Sequence, residues 1–239
     1  MNDLKDLETE LNIQYPEIYK ELYANNMLDW GVEGAGWYSN VFPTLKANPP
    51  LLLFGNDIEI WDPVDFKGGI EEMLNHEIYD LNEKYKLAPF AQNGAGDMYV
   101  FQYDLQNGDE IPISFFPHDD CMLQVLAKNL QDFIFRQLLE SVTEIDEYSM
   151  FDDDTEERIK EHLHNQLRTH KPYLKARQRE ILEEIYARDI FDYTYKLPNG
   201  HEAESRGLAT FEEVEKILKT EIDFEFLNKE FDYTSDEAN

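Results

Sequence analysis

A chain of 239 residues with 42 % hydrophobic and 13 % aromatic side chains can bury a sizeable core, as one large domain or two small ones, and is not a disordered composition. Lys and Arg number 21 against 51 Asp and Glu, a net charge of −30. Such a surface repels nucleic-acid phosphates and anionic lipid, and it attracts basic partners.

In chain order, Asn2 or Asp3 caps a helix running to about Asn12, with Leu4, Leu7 and Leu11 on one face. Pro16 opens a second helix, carrying Tyr19 and Leu22, that ends near Asn25-Asn26. Residues 29–50 read as a Gly- and Pro-containing connection holding Trp30, Trp37 and Tyr38. Leu51 to Phe54 is a buried strand candidate, far too short to span a bilayer. Ile58 and Ile60 flank Glu59 in a short alternation ending at Trp61-Asp62-Pro63. Gly68-Gly69 reads as a break, and Ile70 to about Asp80 as a helix. Met98 to Phe101 is an apolar run, and Asn107-Gly108-Asp109 is a turn, because Asn and Gly reach positive φ at little cost. Ile111, Ile113 and Phe115 alternate as a strand, and Met122 to Leu126 reads as another. Asn129 then caps a helix with Leu130, Phe133, Ile134 and Leu138 on one face.

Residues 143–154 are polar, include Asp152-Asp153-Asp154, and read as an acidic linker. Asp154 with Glu157 fits a capping box before a helix carrying Ile159, Leu163 and Leu167. Pro172 breaks or kinks this helix, or starts the next, which carries Leu174, Ile181, Leu182 and Ile185. Residues 190–195 read as a strand, and Leu197 to Gly200 as a turn. Thr210 caps a last helix, and Ile222, Phe224 and Phe226 alternate as a strand. Phe191-Asp192-Tyr193-Thr194 recurs at 231–234, too short a match to define a repeat. The boundaries are therefore a first domain over 1–142, a linker over 143–154 and an extension over 155–239.

No complete catalytic or metal motif stands out. His162 and His164 sit at i, i+2 and diverge on a helix, and His170 does not complete an i, i+4 pair. Gly94-Ala95-Gly96-Asp97 lacks the Lys-Ser or Lys-Thr of a phosphate loop and reads as a turn into a strand. Asp97 either caps that turn or presents a carboxylate at a binding surface. His118-Asp119-Asp120 reads as an interstrand loop, and Cys121, at the head of an apolar run, as a buried thiol. As the single cysteine it excludes an internal disulfide. Asp57, Glu59, Asp62 and Asp65 cluster around Trp61, an arrangement suited to a protein-binding patch with an aromatic anchor. Core packing is the competing reading for each tryptophan. The N-terminus has no basic segment followed by an apolar one, so no signal peptide is expected, and a cytoplasmic location is.

The Ala88-Pro89-Phe90 approach, Gly94 to Tyr99 entering a strand, the Pro112 strand, a Leu-rich strand feeding the helix from Asn129, and Tyr15-Pro16 opening the second helix together resemble the SUKH superfamily of Smi/Knr-like regulators. The resemblance covers roughly residues 1–142. It implies an α+β fold, a mixed or antiparallel sheet flanked by helices, followed here by a smaller α/β or α+β extension. It also implies a binding module rather than an enzyme, without cofactor or metal. Bacterial members resemble immunity proteins that occlude a toxin domain, often a nuclease, in polymorphic-toxin or contact-dependent inhibition systems. Fungal members act as scaffolds in cell-wall assembly. The acidic charge favours a basic toxin domain as partner, with neither nucleic acid nor membrane. The contact candidates are Asp57, Glu59, Trp61, Asp62, Asp65, Asp97, Asp119 and Asp120. An acidic hydrolase using the carboxylates near Trp61 is a third reading.

Overall fold

The structure, a computed structural model, describes residues 3–32, 34–64, 67–75, 80–145 and 155–234. In chain order these form α1 (Asp3–Leu11), α2 (Glu17–Ala24), a π-helical turn (Trp37–Val41), α3 (Phe42–Leu45), β1 (Glu59–Ile60), α4 (Lys67–Met73), β2 (Leu87–Gln92), β3 (Met98–Gln102) and β4 (Ile113–Phe116). Then follow β5 (Met122–Ala127), α5 (Leu130–Glu140), α6 (Glu156–His170), a 3-10 turn (Lys171–Tyr173), α7 (Ala176–Tyr186), β6 (Phe191–Lys196), β7 (Glu202–Gly207), α8 (Phe211–Glu221) and β8 (Glu230–Asp232). The fold is α+β: one six-stranded sheet of order β1-β2-β3-β4-β5-β8, antiparallel throughout, and a two-stranded β6-β7 ribbon.

The chain divides into two compact units, and not where composition suggested. The first comprises Met1–Trp30, Asp57–Phe133 and Phe224–Asn239; the second comprises Gly31–Asn56 and Ile134–Asp223. The pairing of β8 with β5 places the end of the chain with the first unit, and residues 31–56 group with the second.

In the first unit the sheet is covered on both faces, which is why β3 is buried along its whole length. Strand alternation sends Phe101 to one face, where its ring meets Tyr15, Tyr19 and Phe90. Phe133 of α5 packs edge-on against Phe90 there. On the other face Met98 and Val100 join Trp61, Met73, Leu81, Tyr85, Leu87, Phe116, Leu123 and Tyr233 in one apolar cluster. Asn129 caps α5 as expected, its Oδ1 accepting from Asp132 N at 2.9 Å. Gly68 and Gly69 lie inside α4 rather than breaking the chain. Strand β2 has no sequence signature, since Pro89 interrupts it; the register shifts between Pro89 and Ala91, which accommodates the missing N–H.

The second unit corrects a further expectation. Leu51 to Phe54 is not a strand but a buried turn, with Leu52 at φ 54. Its backbone groups are satisfied by α6 side chains: Leu52 N donates to His170 Nε2 (2.9 Å) and Phe54 N to Gln166 Oε1 (2.8 Å). Thr169 Oγ1 donates to Pro49 O at 2.9 Å. A buried N–H without a partner costs free energy, so these side chains do what a neighbouring strand would have done. The cap of α6 is Thr155, whose side chain accepts from Arg158 N, rather than Asp154, which lies outside the described residues with the rest of the acidic run. Thr210 caps α8 as expected, accepting from Glu213 N. Ile222 to Phe226 is likewise not a strand: Ile222 is the C-cap of α8 and Phe224 opens a turn closed by Leu227 N to Phe224 O at 3.1 Å.

Gly207 ends β7 against the chain at 142–145, where Leu208 N donates to Val142 O and Ile145 N to Arg206 O. A Cβ at Gly207 would stand 2.4 Å from Val142 O and 2.7 Å from Thr143 O. Carbonyls cannot swing aside as a side chain can, so Gly207→Ala is expected to destabilise by about 1–3 kcal/mol. Chemical denaturation checks this; an unchanged midpoint would mean that segment 142–145 yields without cost.

Candidate functional site

The first unit gathers carboxylates at the end of the sheet where β2 turns into β3. The turn is built by Asn93, whose Oδ1 accepts from Ala95 N (3.0 Å) and Asp97 N (2.8 Å). Gly96 occupies φ 90, a conformation that glycine adopts without steric penalty. Gly94 N donates to Asp57 Oδ1 at 3.0 Å, and Tyr99 OH to Asp57 O at 3.3 Å, so the approach to β1 is tied to this turn. Glu59 follows, its Oε2 accepting from Gln92 Nε2 at 2.8 Å.

Across the sheet, the β4–β5 loop is pinned to the same turn. Asp97 Oδ1 accepts from His118 N (3.0 Å) and from His118 Nδ1 (2.7 Å), and Oδ2 from Asn93 Nδ2 (3.0 Å). Burial alone would raise the Asp97 pKa, but the hydrogen bonds from His118 and Asn93 outweigh it and hold the carboxyl below its usual value. Asp119 and Asp120 are exposed beside it. The loop is fastened from below by Tyr233, which donates to Asp120 O at 2.6 Å and stacks on Phe116 at 4.4 Å.

Asp57, Glu59, Asp97, Asp119 and Asp120 thus form one acidic shelf. Their hydrogen bonds come from Gly94 N, Gln92, Asn93, His118 and Met122 N. Among the described residues no Lys or Arg pairs with any of them. Elsewhere in the same unit the acids do meet cations: Glu8 and Glu17 with Lys20, Glu10 with Lys67, and Glu110 with Lys128. Among the described residues the shelf differs in having a single histidine contact, His118 with Asp97, in place of such cations.

Other candidates fall elsewhere. Trp61 is a correction: it is 6 % exposed within the apolar cluster and cannot anchor a partner. Trp30 is buried too. Asp62 accepts from Val64 N and lies beyond β1 from the shelf, close enough to Tyr19 for its charge to be felt there. Asp65 lies outside the described residues. Cys121 is exposed, contrary to expectation, because it is the last loop residue before β5 and not part of the strand. Asn93, His118 and Tyr233 were not identified as site residues from sequence. Asn93 had a local signal, an Asn before Gly-Ala-Gly; Tyr233 had none.

Asp97, His118 and Asp119 bring three ligand-type atoms within 4.8 Å of one another, the one such group among the described residues. His118 Nδ1 lies 2.7 Å from Asp97 Oδ1, a hydrogen bond that joins two of the three. The histidines of α6 hold no such group: His170 Nε2 accepts from Leu52 N, His164 Nδ1 meets Lys160 O, and His162 stacks on Phe54.

No helix among the described residues is long and apolar enough to cross a membrane. No curated protein and no solved structure matches the chain. The family model for the SMI1 / KNR4 family (SUKH-1) matches residues 2–136. That match takes in the β2–β3 turn, the β4–β5 loop and the cap of α5, and it spans more than half of the sequence: the chain belongs to the SMI1 / KNR4 (SUKH-1) family.

Proposed function

We propose that this chain is a non-enzymatic, cytoplasmic protein-binding module of the immunity type, which binds a basic toxin domain and blocks its active site. The observation that carries this reading is the acidic shelf: five carboxylates on one end of the sheet, four of them hydrogen-bonded, with no Lys or Arg among the described residues paired to them. A nuclease has to be positively charged around its phosphate-binding cleft. A rigid negative surface can occupy that cleft in place of the nucleic acid. A total charge of −30 adds long-range steering, and such fields raise association rates by about 10–1,000-fold at low ionic strength. The same charge disfavours nucleic acid and anionic membrane as partners.

The test is co-expression with any toxin domain found encoded beside this chain's gene, scored as survival, and binding kinetics of the purified pair across salt concentrations. The triple variant Asp57→Lys, Asp119→Lys, Asp120→Lys is expected to lose protection and to slow association by about tenfold or more at low salt. The shelf can be substituted without touching the core, so a retained melting temperature separates lost binding from lost fold. Unchanged association would sink the shelf as the contact surface. Several unrelated partners and no toxin would favour a scaffold of the cell-wall regulator type.

A further inference from the structure

The β6-β7 ribbon of the second unit leaves one strand edge open. The strands pair in register from Phe191 with Gly207 to Lys196 with Glu202. In an antiparallel ladder, residues that bond to the neighbouring strand alternate with residues whose N–H and C=O point away from it. Two hydrogen bonds fix which is which. Leu197 N donates to His201 O at 2.8 Å across the turn, so Tyr195, Tyr193 and Phe191, in step with Leu197, bond inward to β7. Ile145 N donates to Arg206 O at 2.7 Å from outside the ribbon, so Arg206 and its cross-strand partner Asp192 point outward. The outer edge of β6 therefore presents the N–H and C=O groups of Asp192, Thr194 and Lys196. All three residues are exposed, and no backbone bond among the described residues meets that edge. The β7 edge differs: the chain at 142–145 holds one end of it, through Ile145 N and the bond from Leu208 N to Val142 O.

An open edge accepts another strand, and its side chains decide which one. Asp192, Thr194 and Lys196 share one face of β6, an acid and a base placed symmetrically about a threonine. Antiparallel pairing of β6 with β6 of a second copy, about a twofold axis at Thr194, sets Thr194 opposite Thr194 and each Asp192 opposite a Lys196. Within one copy Asp192 Oδ1 lies 3.5 Å from Arg206 Nε, and Lys196 stands opposite Glu202 in the register. A row across the four strands then runs Arg206, Asp192, and Lys196 and Glu202 of the second copy, alternating in sign at every step. On the other face Tyr193 comes opposite Tyr195, and Phe191, an exposed large apolar residue, comes opposite Leu197. Opposite charges, threonine pairs and aromatic pairs are stabilising cross-strand neighbours. Charges of a single sign would guard the edge against self-pairing, and in-register parallel pairing would set like charges side by side. The antiparallel arrangement alone is self-complementary.

We propose that the outer edge of β6 is a self-association surface, through which two copies of this chain pair β6 with β6 and build one continuous four-stranded sheet. The β7 strands then lie outermost, each held at one end by residues 142–145, and the twofold contact closes the assembly at two. The chain's charge of −30 opposes the approach of a second copy, but the ribbon itself is nearly balanced, with Lys196 and Arg206 against Asp192, Glu202 and Glu204. At about 0.15 M salt, charges more than about 8 Å apart are largely screened, so the ribbon's own pairs dominate. A six-residue edge is a small contact, and the dimer is accordingly weak and reversible. The proposal is independent of the acidic shelf and of any toxin.

The experiment is analytical ultracentrifugation of the full chain, from about 10 μM to about 1 mM in about 0.15 M salt. The wild type is expected to pass from the 28.3 kDa monomer toward twice that mass as concentration rises. Asp192→Lys sets Lys opposite Lys at both charge pairs, and Lys196→Asp sets Asp opposite Asp; each is expected to weaken dimerisation by about tenfold or more. Mixed in equal amounts, the two variants set Lys opposite Asp at both pairs, and dimers are expected to return at close to wild-type strength. A general effect of net charge would leave the mixture midway between the two variants. Thr194→Pro removes an outward N–H and no bond to β7, and it is expected to give a monomer with an unchanged melting temperature. A dimer that neither charge reversal weakens, or a mixture no stronger than the variants alone, would overturn the proposal. A wild type that stays monomeric throughout would overturn it too, and would leave the edge to a strand from a different protein.

Discussion

Replacing Phe101 with alanine is expected to destabilise the protein by about 3–5 kcal/mol, the range found when a fully buried aromatic is truncated. Phe101 has no exposed surface and sits in the middle of the sheet, touching rings from the α2 segment on one side and from β2 on the other. Removing it takes away the contacts that hold Tyr15, Tyr19 and Phe90 in their packing, and rings of that size on a covered sheet cannot collapse inward to fill the hole. At roughly 2–4 °C per kcal/mol for a chain of this length, the melting temperature falls by roughly 6–20 °C. Phe101→Leu, which keeps most of the volume, is expected to lose considerably less. Urea or thermal unfolding of the two variants tests this. A loss under about 1 kcal/mol for the alanine variant would show that the neighbouring rings close over the site.

Acid is expected to act on the second unit through His170. This imidazole is fully buried and accepts the Leu52 N–H through Nε2, while Nδ1 meets Gln166 O. Burial pushes its pKa down to about 4 from 6.5, against a smaller upward pull from Gln166 O. The neutral ring is the form that fits, since only an unprotonated Nε2 can accept. The folded pKa lies below the unfolded one, so this stabilisation is complete above about pH 6.5. It is lost progressively as pH falls toward about 4, to a total of about 3 kcal/mol. Protonation of carboxylates works the other way at first, because it relieves self-repulsion in a chain of net charge −30. The two are separated by comparison with His170→Gln, which has no titrating ring. The wild type is expected to lose stability relative to the variant between pH 6.5 and 4 when urea midpoints are measured at each pH. Parallel pH profiles would mean that the ring titrates near its ordinary value. At neutral pH His170→Leu leaves the Leu52 N–H without its acceptor, at a cost of about 1–3 kcal/mol.

Much of the local structure follows from short-range rules. Asn129 and Thr210 announced their helices because capping depends on one side-chain oxygen and an amide three residues away. Gly108, at φ 62, announced its turn because tolerance of positive φ is a property of the residue itself. The β3 strand was legible as an apolar run and β5 as one broken only by Gln124, and the family resemblance, carried by these same segments, agrees with the match over residues 2–136. The apolar run at Leu51 was misleading for the same reason: its pattern says buried, and buried it is, but whether a neighbouring strand or a helix side chain takes its N–H groups depends on His170 and Gln166 more than a hundred residues away.

The candidate site divides in the same way. Acidic residues near positions 57–65, at 97 and at 119–120 were visible as charge, yet nothing in their spacing said which would meet. Asp57, Asp97 and the 118–120 loop come together because antiparallel pairing brings the β2–β3 turn and the β4–β5 loop to one end of the sheet. Asp62 separates from them because it lies on the far side of β1, and Trp61, just after that strand, turns into the apolar cluster. The sequence by itself determined the charge, the helix caps, the main strands and the family. Only the tertiary structure decided which carboxylates share a surface, that β8 closes the first sheet, and that β6 is left with an open outer edge. Those outcomes rest on contacts between residues distant in the chain, and local propensity carries no information about them.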